Sequence, residues 1–182
     1  LGPLTDIARY HADVGWTTGA SAISRSIDDF GGHVNGLPYE LLTADHQNKA
    51  DIAASKAREW IDTQGLTMLF GGTNSGTALA MAQVAAEKKR VFFDNGAGSS
   101  VLTNAQCTPY TVHYAYDTVA LANGTAAAMI APCDQHWFFH TADYDFGPAP
   151  EAHAPRVIND KTRTRCHGDR PPNTHPRPPP AI

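Results

Sequence analysis

The sequence predicts an α/β fold, a parallel sheet flanked by helices on both faces. Two observations carry that expectation. Short apolar runs of strand length alternate with longer segments whose apolar residues recur at helical spacing. Two of the runs, residues 66–70 and 90–93, open directly into small, hydroxyl-bearing loops, Gly71-Gly72-Thr73-Asn74-Ser75 and Asp94-Asn95-Gly96-Ala97-Gly98-Ser99-Ser100. Loops of this kind after parallel strands place backbone N–H groups and hydroxyls along one sheet edge, where open α/β folds bind ligands.

Each element follows from its residues. Residues 1–5, Leu-Gly-Pro-Leu-Thr, read as a short strand. Residues 19–30 carry Ala20, Ile23, Ile27 and Phe30 on one helical face, and Gly31-Gly32 ends that helix. Asn35-Gly36 marks a tight turn, and residues 39–43 read as the next strand. Asn48 offers an N-cap with Asp51 three residues on, and Ala53, Ala57, Trp60 and Ile61 form an apolar stripe closed by Gly65. Residues 68–70 form a strand, Ala78, Ala82 and Ala85 line a helix, and residues 91–93 form another strand. Residues 111–114 read as a strand, Val119, Ala122, Ala126 and Met129 as a helical face, and residues 137–139 as the last strand.

Composition narrows the function. A chain of 182 residues is long enough for one domain, which at about 150 residues hides roughly 70% of its unfolded surface. The net charge of −4 is uneven: residues 151–182 hold six Lys and Arg against three Asp and Glu, leaving an acidic body. Such a body excludes a nucleic-acid surface there. No apolar run approaches the ~20 residues a membrane-spanning helix needs. No signal-peptide pattern is present, since the sequence opens within the first strand. Nine of the 13 prolines lie at or beyond Pro148, so residues 150–182 read as a Pro- and Arg-rich tail, disordered or out of frame. Cys107, Cys133 and Cys166 match no zinc or redox spacing and read as free thiols, with a Cys107–Cys133 disulfide as the alternative.

No catalytic constellation accompanies the loops. Gly96-Ala97-Gly98 lacks the third glycine of a dinucleotide fingerprint and follows the wrong strand, and no phosphate-binding G-x-x-x-x-G-K-[ST] motif occurs. His136 and His140 read as strand-end residues rather than metal ligands, and His113 as a strand residue. His46 beside Asp45 has no nucleophile at hand. The residues therefore point to a non-enzymatic binding protein that needs no cofactor and no metal.

A set of ordered stretches sharpens this. Leu4-Thr5-Asp6, Asp28-Asp29-Phe30-Gly31-Gly32, Ala44-Asp45-His46-Gln47-Asn48-Lys49-Ala50-Asp51, Trp60-Ile61-Asp62-Thr63 and Asn74-Ser75 occur in the first half. Leu102-Thr103, Thr111-Val112-His113, Tyr116-Asp117-Thr118, Trp137-Phe138-Phe139 and Thr141-Ala142-Asp143-Tyr144 follow. Over roughly residues 1–147 the chain resembles the branched-chain-amino-acid (Leu/Ile/Val) type of periplasmic substrate-binding protein, the extracytoplasmic receptor of an ABC importer.

The resemblance implies two α/β lobes closing on a ligand. Residues 1–115 would be the N-terminal lobe, and 116–149 the hinge crossing and start of the second lobe, the rest of which this chain lacks. The ligand would be an amino acid or related small carboxylate, aromatic acids included. The partner would be a membrane permease, and the setting periplasmic or extracytoplasmic, without direct membrane insertion. Carried over residue by residue, the resemblance makes Asn74 and Ser75 one cradle and Gly96, Ala97, Gly98 and Ser99 a second. Tyr116 would lie at the hinge, Phe146 would be an aromatic wall and Trp16 a lid. Plainer roles stand beside these: Asn74 as a helix N-cap, Gly96 and Gly98 as a turn, Trp16 as surface packing, Phe146 as core. Two other readings of the whole remain open, a flavodoxin-like nucleotide- or cofactor-binding or signalling domain, and a truncated receptor fragment without function.

Overall fold

The structure, a computed structural model, describes residues 2–5 and 17–129. Its strands are β1 (Gly2–Thr5), β2 (His33–Val34), β3 (Leu37–Pro38), β4 (Ala44–Asp45), β5 (Met68–Gly71), β6 (Val91–Asp94) and β7 (Thr111–His113). The helices are α1 (Thr17–Asp29), α2 (Ala50–Gln64), α3 (Ser75–Lys88) and α4 (Thr118–Met129). Five strands form one wholly parallel sheet in the order β4-β1-β5-β6-β7. The chain steps from β1 to β4 on one side, then returns to β5 on the other. That reversal is the topological switch point where open parallel sheets bind ligands at their carboxyl ends.

The two sheet faces differ in burial. Leu69 on β5 pairs with Phe92 on β6, and both are fully buried. Helices α2 and α3 cover this face, with Ala53, Ala57, Trp60 and Ile61 from one, and Ala78, Met81, Ala82 and Ala85 from the other, in a single apolar cluster. The alanines keep side-chain bulk low where the two helices share the core. On the solvent side Lys88 reaches Asp62 at 2.9 Å and Arg58 reaches Glu87 at 3.1 Å. Exposed pairs of this kind contribute about 0–1 kcal/mol each.

On the other face Phe70 and Phe93 stand side by side at 5.9 Å between ring centroids, and Phe93 meets Tyr114 at 5.8 Å. Helix α1 lies over this face and leaves a groove of about 570 Å³ lined by Ile23, Ile27, Phe30, Tyr39, Met68 and Phe70. Ile23 and Ile27 are half-buried as the apolar stripe predicts, whereas Phe30 falls beyond the helix end and is 89% exposed. Gly31-Gly32 stops the helix, the Gly32 N–H returning to the Ile27 carbonyl at 2.8 Å. Asn35 and Gly36, with φ of 52° and 79°, then form the two-residue turn of the β2–β3 hairpin.

Two expectations need correction. Residues 39–43 are not a strand; the strand is β4, at Ala44–Asp45. It forms where the chain comes alongside the carboxyl end of β1, Leu4 opposite Ala44 and Thr5 opposite Asp45, while the preceding residues have no ladder partner among the described residues. Asn48 is not the N-cap of α2. Gln47 and Asn48 both take left-handed backbone (φ 53° and 57°), and the buried His46 ring accepts the Asn48 N–H on Nδ1 at 3.0 Å. This turn delays the helix by one residue, and Lys49 occupies the cap position without a side-chain bond.

Candidate functional site

The two small-residue loops lie against each other at the carboxyl edge. The Asn95 N–H donates to the Gly71 carbonyl at 3.1 Å. Gly96 sits so close that a Cβ there would be 3.3 Å from the Gly72 oxygen and 3.4 Å from the Thr73 Cα. Gly72 itself has a φ of +95°, and a Cβ on it would stand 2.9 Å from Asp94 Cγ. The first loop is thus pressed directly over the Asp94 carboxylate.

Asn74 is the N-cap of α3. Its Oδ1 accepts the Gly76 N–H at 2.8 Å and the Thr77 N–H at 3.2 Å, and its carbonyl accepts the Thr77 hydroxyl at 2.9 Å. Ser75, the first helical residue, is 2% exposed. Asn74 therefore shapes a helix N-terminus, whose dipole favours an anion. Asn74→Ala is expected to lower stability by about 1 kcal/mol, read as a lower urea midpoint with an unchanged slope.

The second loop is organised by Asp94, the last residue of β6. Its Oδ1 accepts the N–H groups of Gly96 at 3.2 Å and Ala97 at 3.1 Å. His113 of β7 places Nε2 2.6 Å from the Ala97 carbonyl and 3.4 Å from Asp94 Oδ2. A carbonyl only accepts, so Nε2 carries the proton. Burial pushes the Asp94 carboxyl up from the usual 3.8 to about 6, against the pull of the Ala97 and Gly96 N–H groups and of His113. The buried Ser99 hydroxyl accepts the Val101 N–H at 3.3 Å, opening the turn Ser100–Leu102. The Gly98 carbonyl accepts the Thr118 N–H at 2.9 Å, and the Thr118 hydroxyl donates to that of Ser100 at 3.2 Å, tying the loop to α4.

Asn74, Ser75, Gly96, Ala97, Gly98 and Ser99 are thus gathered at one edge. Tyr116 lies nearby in sequence between β7 and α4 and is 55% exposed. Trp16 and Phe146 fall outside the described residues, as do Cys133, Cys166, His136, His140 and the strand expected at 137–139. Asp94, His113 and Gly72 shape this edge as well, beyond the residues that the sequence singles out. A strand-terminal Asp followed by Asn-Gly is the pattern of a side chain that bonds its own backbone two residues on, and that signal marks Asp94. Among the described residues no group of three His, Cys, Asp or Glu could hold a metal ion, and no helix is long and apolar enough to cross a membrane. Cys107 is exposed and has no disulfide partner among the described residues.

A parallel sheet with this reversal, and paired loops at its carboxyl edge, is the architecture in which open α/β folds bind ligands. The sequence profile described as "Periplasmic binding protein" matches residues 12–168, and the chain belongs to that family. The match runs past Gly147, into the stretch that composition sets apart. A periplasmic binding protein from Burkholderia mallei is 58% identical, with 87% of this chain and 42% of that one covered at a TM-score of 0.83. A branched-chain amino acid ABC transporter ligand-binding protein from Burkholderia xenovorans is 31% identical, covering 88% and 43% at 0.78. A solute-binding protein from Rhodopseudomonas palustris, solved with benzoate, shares the fold at 21% identity, covering 88% and 44% at 0.76. The chain thus spans less than half the length of these relatives. No curated protein matches it.

Proposed function

We propose that this chain supplies the N-terminal ligand-binding lobe of the extracytoplasmic solute-binding component of an ABC importer. The ligand is an amino acid or related small carboxylate, held without chemical change and delivered to a membrane permease. The observation that carries this reading is the joined pair of loops at the switch-point edge, in a chain of the periplasmic binding protein family. A helix N-terminus at Ser75 and the amides of residues 98 and 99 suit an anion. Asn74 acts chiefly through the helix end it caps. Tyr116 at the hinge near residues 115–117, Phe146 as an aromatic wall from the second lobe and Trp16 as a lid complete the proposed site. The flavodoxin-like alternative shares this strand order, but family membership favours the solute receptor.

Differential scanning fluorimetry with L-leucine, benzoate and flavin mononucleotide tests the reading. A carboxylate at 100 times its Kd adds about 2.7 kcal/mol of stability, and a clear rise in Tm with leucine or benzoate is expected. A rise with the flavin nucleotide alone would overturn the receptor reading. No rise with any probe would favour a lobe that binds only when completed by its partner lobe.

A further inference from the structure

We propose that Asp94 and His113 are positioning residues for the binding site, clamping Ala97 by its N–H and its carbonyl so that the Gly98 and Ser99 N–H groups meet the ligand's carboxylate. The inference rests on the solute-binding reading and deepens it.

The geometry converges on one residue. Asp94 takes the N–H groups of Gly96 and Ala97, and His113 takes the Ala97 carbonyl. The next carbonyl, that of Gly98, is held by Thr118. These bonds turn the polar groups of residues 96–98 inward one after another. Among the described residues, the N–H groups of Gly98 and Ser99 have no acceptor, and they come next along the chain. Both side chains of the clamp are shielded, Asp94 fully and His113 to 4% exposure. His113 belongs to β7, and the Tyr114 N–H that follows donates to the Asp94 carbonyl at 2.8 Å. The clamp therefore joins the cradle to the segment leading toward the expected hinge.

The clamp is also costly, which argues for a purpose. Asp94 Oδ2 is buried and, among the described residues, lacks a hydrogen-bond partner. An unsatisfied buried carboxylate oxygen weakens a fold, and groups so placed cluster at functional sites. Among the described residues, His113 is the titratable group that faces Asp94; the flanking β5 loop offers Gly71 and Gly72, and α3 offers Ala78.

The sign of the pH dependence follows. The folded protein holds the Asp94 proton up to about pH 6, whereas an unfolded chain releases it near 3.8. Between those values the folded state binds more protons, so stability falls as pH rises, by up to about tenfold in folding equilibrium per pH unit. Above about pH 6 the effect levels off.

The test uses the full chain and two readouts. Amide NMR shifts of Gly96, Ala97, Gly98 and Ser99 are followed from acid to neutral pH, and Kd values for L-leucine and benzoate are measured across the same range. Wild type should show one shared titration step in the four amides, absent in Asp94→Asn. His113→Leu should displace the Gly98 and Ser99 signals and weaken binding about tenfold, the share of one lost hydrogen bond. His113→Gln, which keeps a donor, should restore both. Gly98 and Ser99 signals in His113→Leu that coincide with wild type would overturn the proposal, as would unchanged Kd values. If neither probe binds wild type, the lobe binds only when completed by its partner lobe, and unmoved amides in His113→Leu still overturn the clamp.

Discussion

Gly72→Ala is expected to destabilise the lobe by about 2–5 kcal/mol, from left-handed strain and overpacking together. A drop in Tm on the order of 10 °C should accompany it. The backbone at Gly72 has a φ of +95°, which a side chain rarely adopts. The added methyl would also stand 2.9 Å from Asp94 Cγ and 3.2 Å from Ala78 Cβ, where the carboxylate and α3 are both fixed. Asp94 cannot swing away without releasing the Gly96 and Ala97 amides. Gly96→Ala is the natural comparison. Its methyl would meet the Gly72 oxygen at 3.3 Å, a contact that a few tenths of an ångström relieves. Calorimetry of the two variants should separate them clearly. Equal, small losses would mean that the two loops are not wedged over the Asp94 carboxylate.

The parts of this fold that sequence made legible are those governed by local pattern. The alanine stripes of α2 and α3 are buried where their spacing places them, and Gly65 closes α2 in left-handed backbone, its N–H on the Trp60 carbonyl. The Asn35-Gly36 turn forms the hairpin its dipeptide encodes. The misplaced features depend on distant partners. Strand β4 forms only where β1 comes alongside, 40 residues earlier in sequence, so the apolar run at 39–43 drew attention to the wrong residues. The start of α2 is set by the His46 ring accepting a backbone N–H, a bond that no propensity for Asn48 anticipates.

The same distinction runs through the candidate site. Asn74 and Gly96–Ser99 stood out because small and hydroxyl residues after a strand are visible in sequence. Asp94 and His113 did not, because their meeting requires β6 and β7 to pair in register, with Asp94 opposite His113. Read singly, one is the last residue of a strand and the other an ordinary strand histidine. Paired, they engage the Gly96 and Ala97 N–H groups and the Ala97 carbonyl inside the protein.

Phe92→Ala should cost about 3–5 kcal/mol, the usual loss for removing a fully buried aromatic ring. Phe93→Ala, one residue along, should cost clearly less. The two rings point to opposite faces of β6. Phe92 is fully buried in the cluster built by α2 and α3, and nothing mobile is at hand to fill the space it would leave. Phe93 is half-buried between Phe70 and Tyr114, and Tyr114 is 75% exposed, so the neighbouring rings can settle inward over the gap. Urea unfolding of both variants reads the difference as two midpoints at a common slope. Near-equal losses would mean that the aromatic face of the sheet is covered as completely as the other. The unequal result places the stability of this lobe in the α2–α3 layer, which also supplies the helix end capped by Asn74 in the first loop.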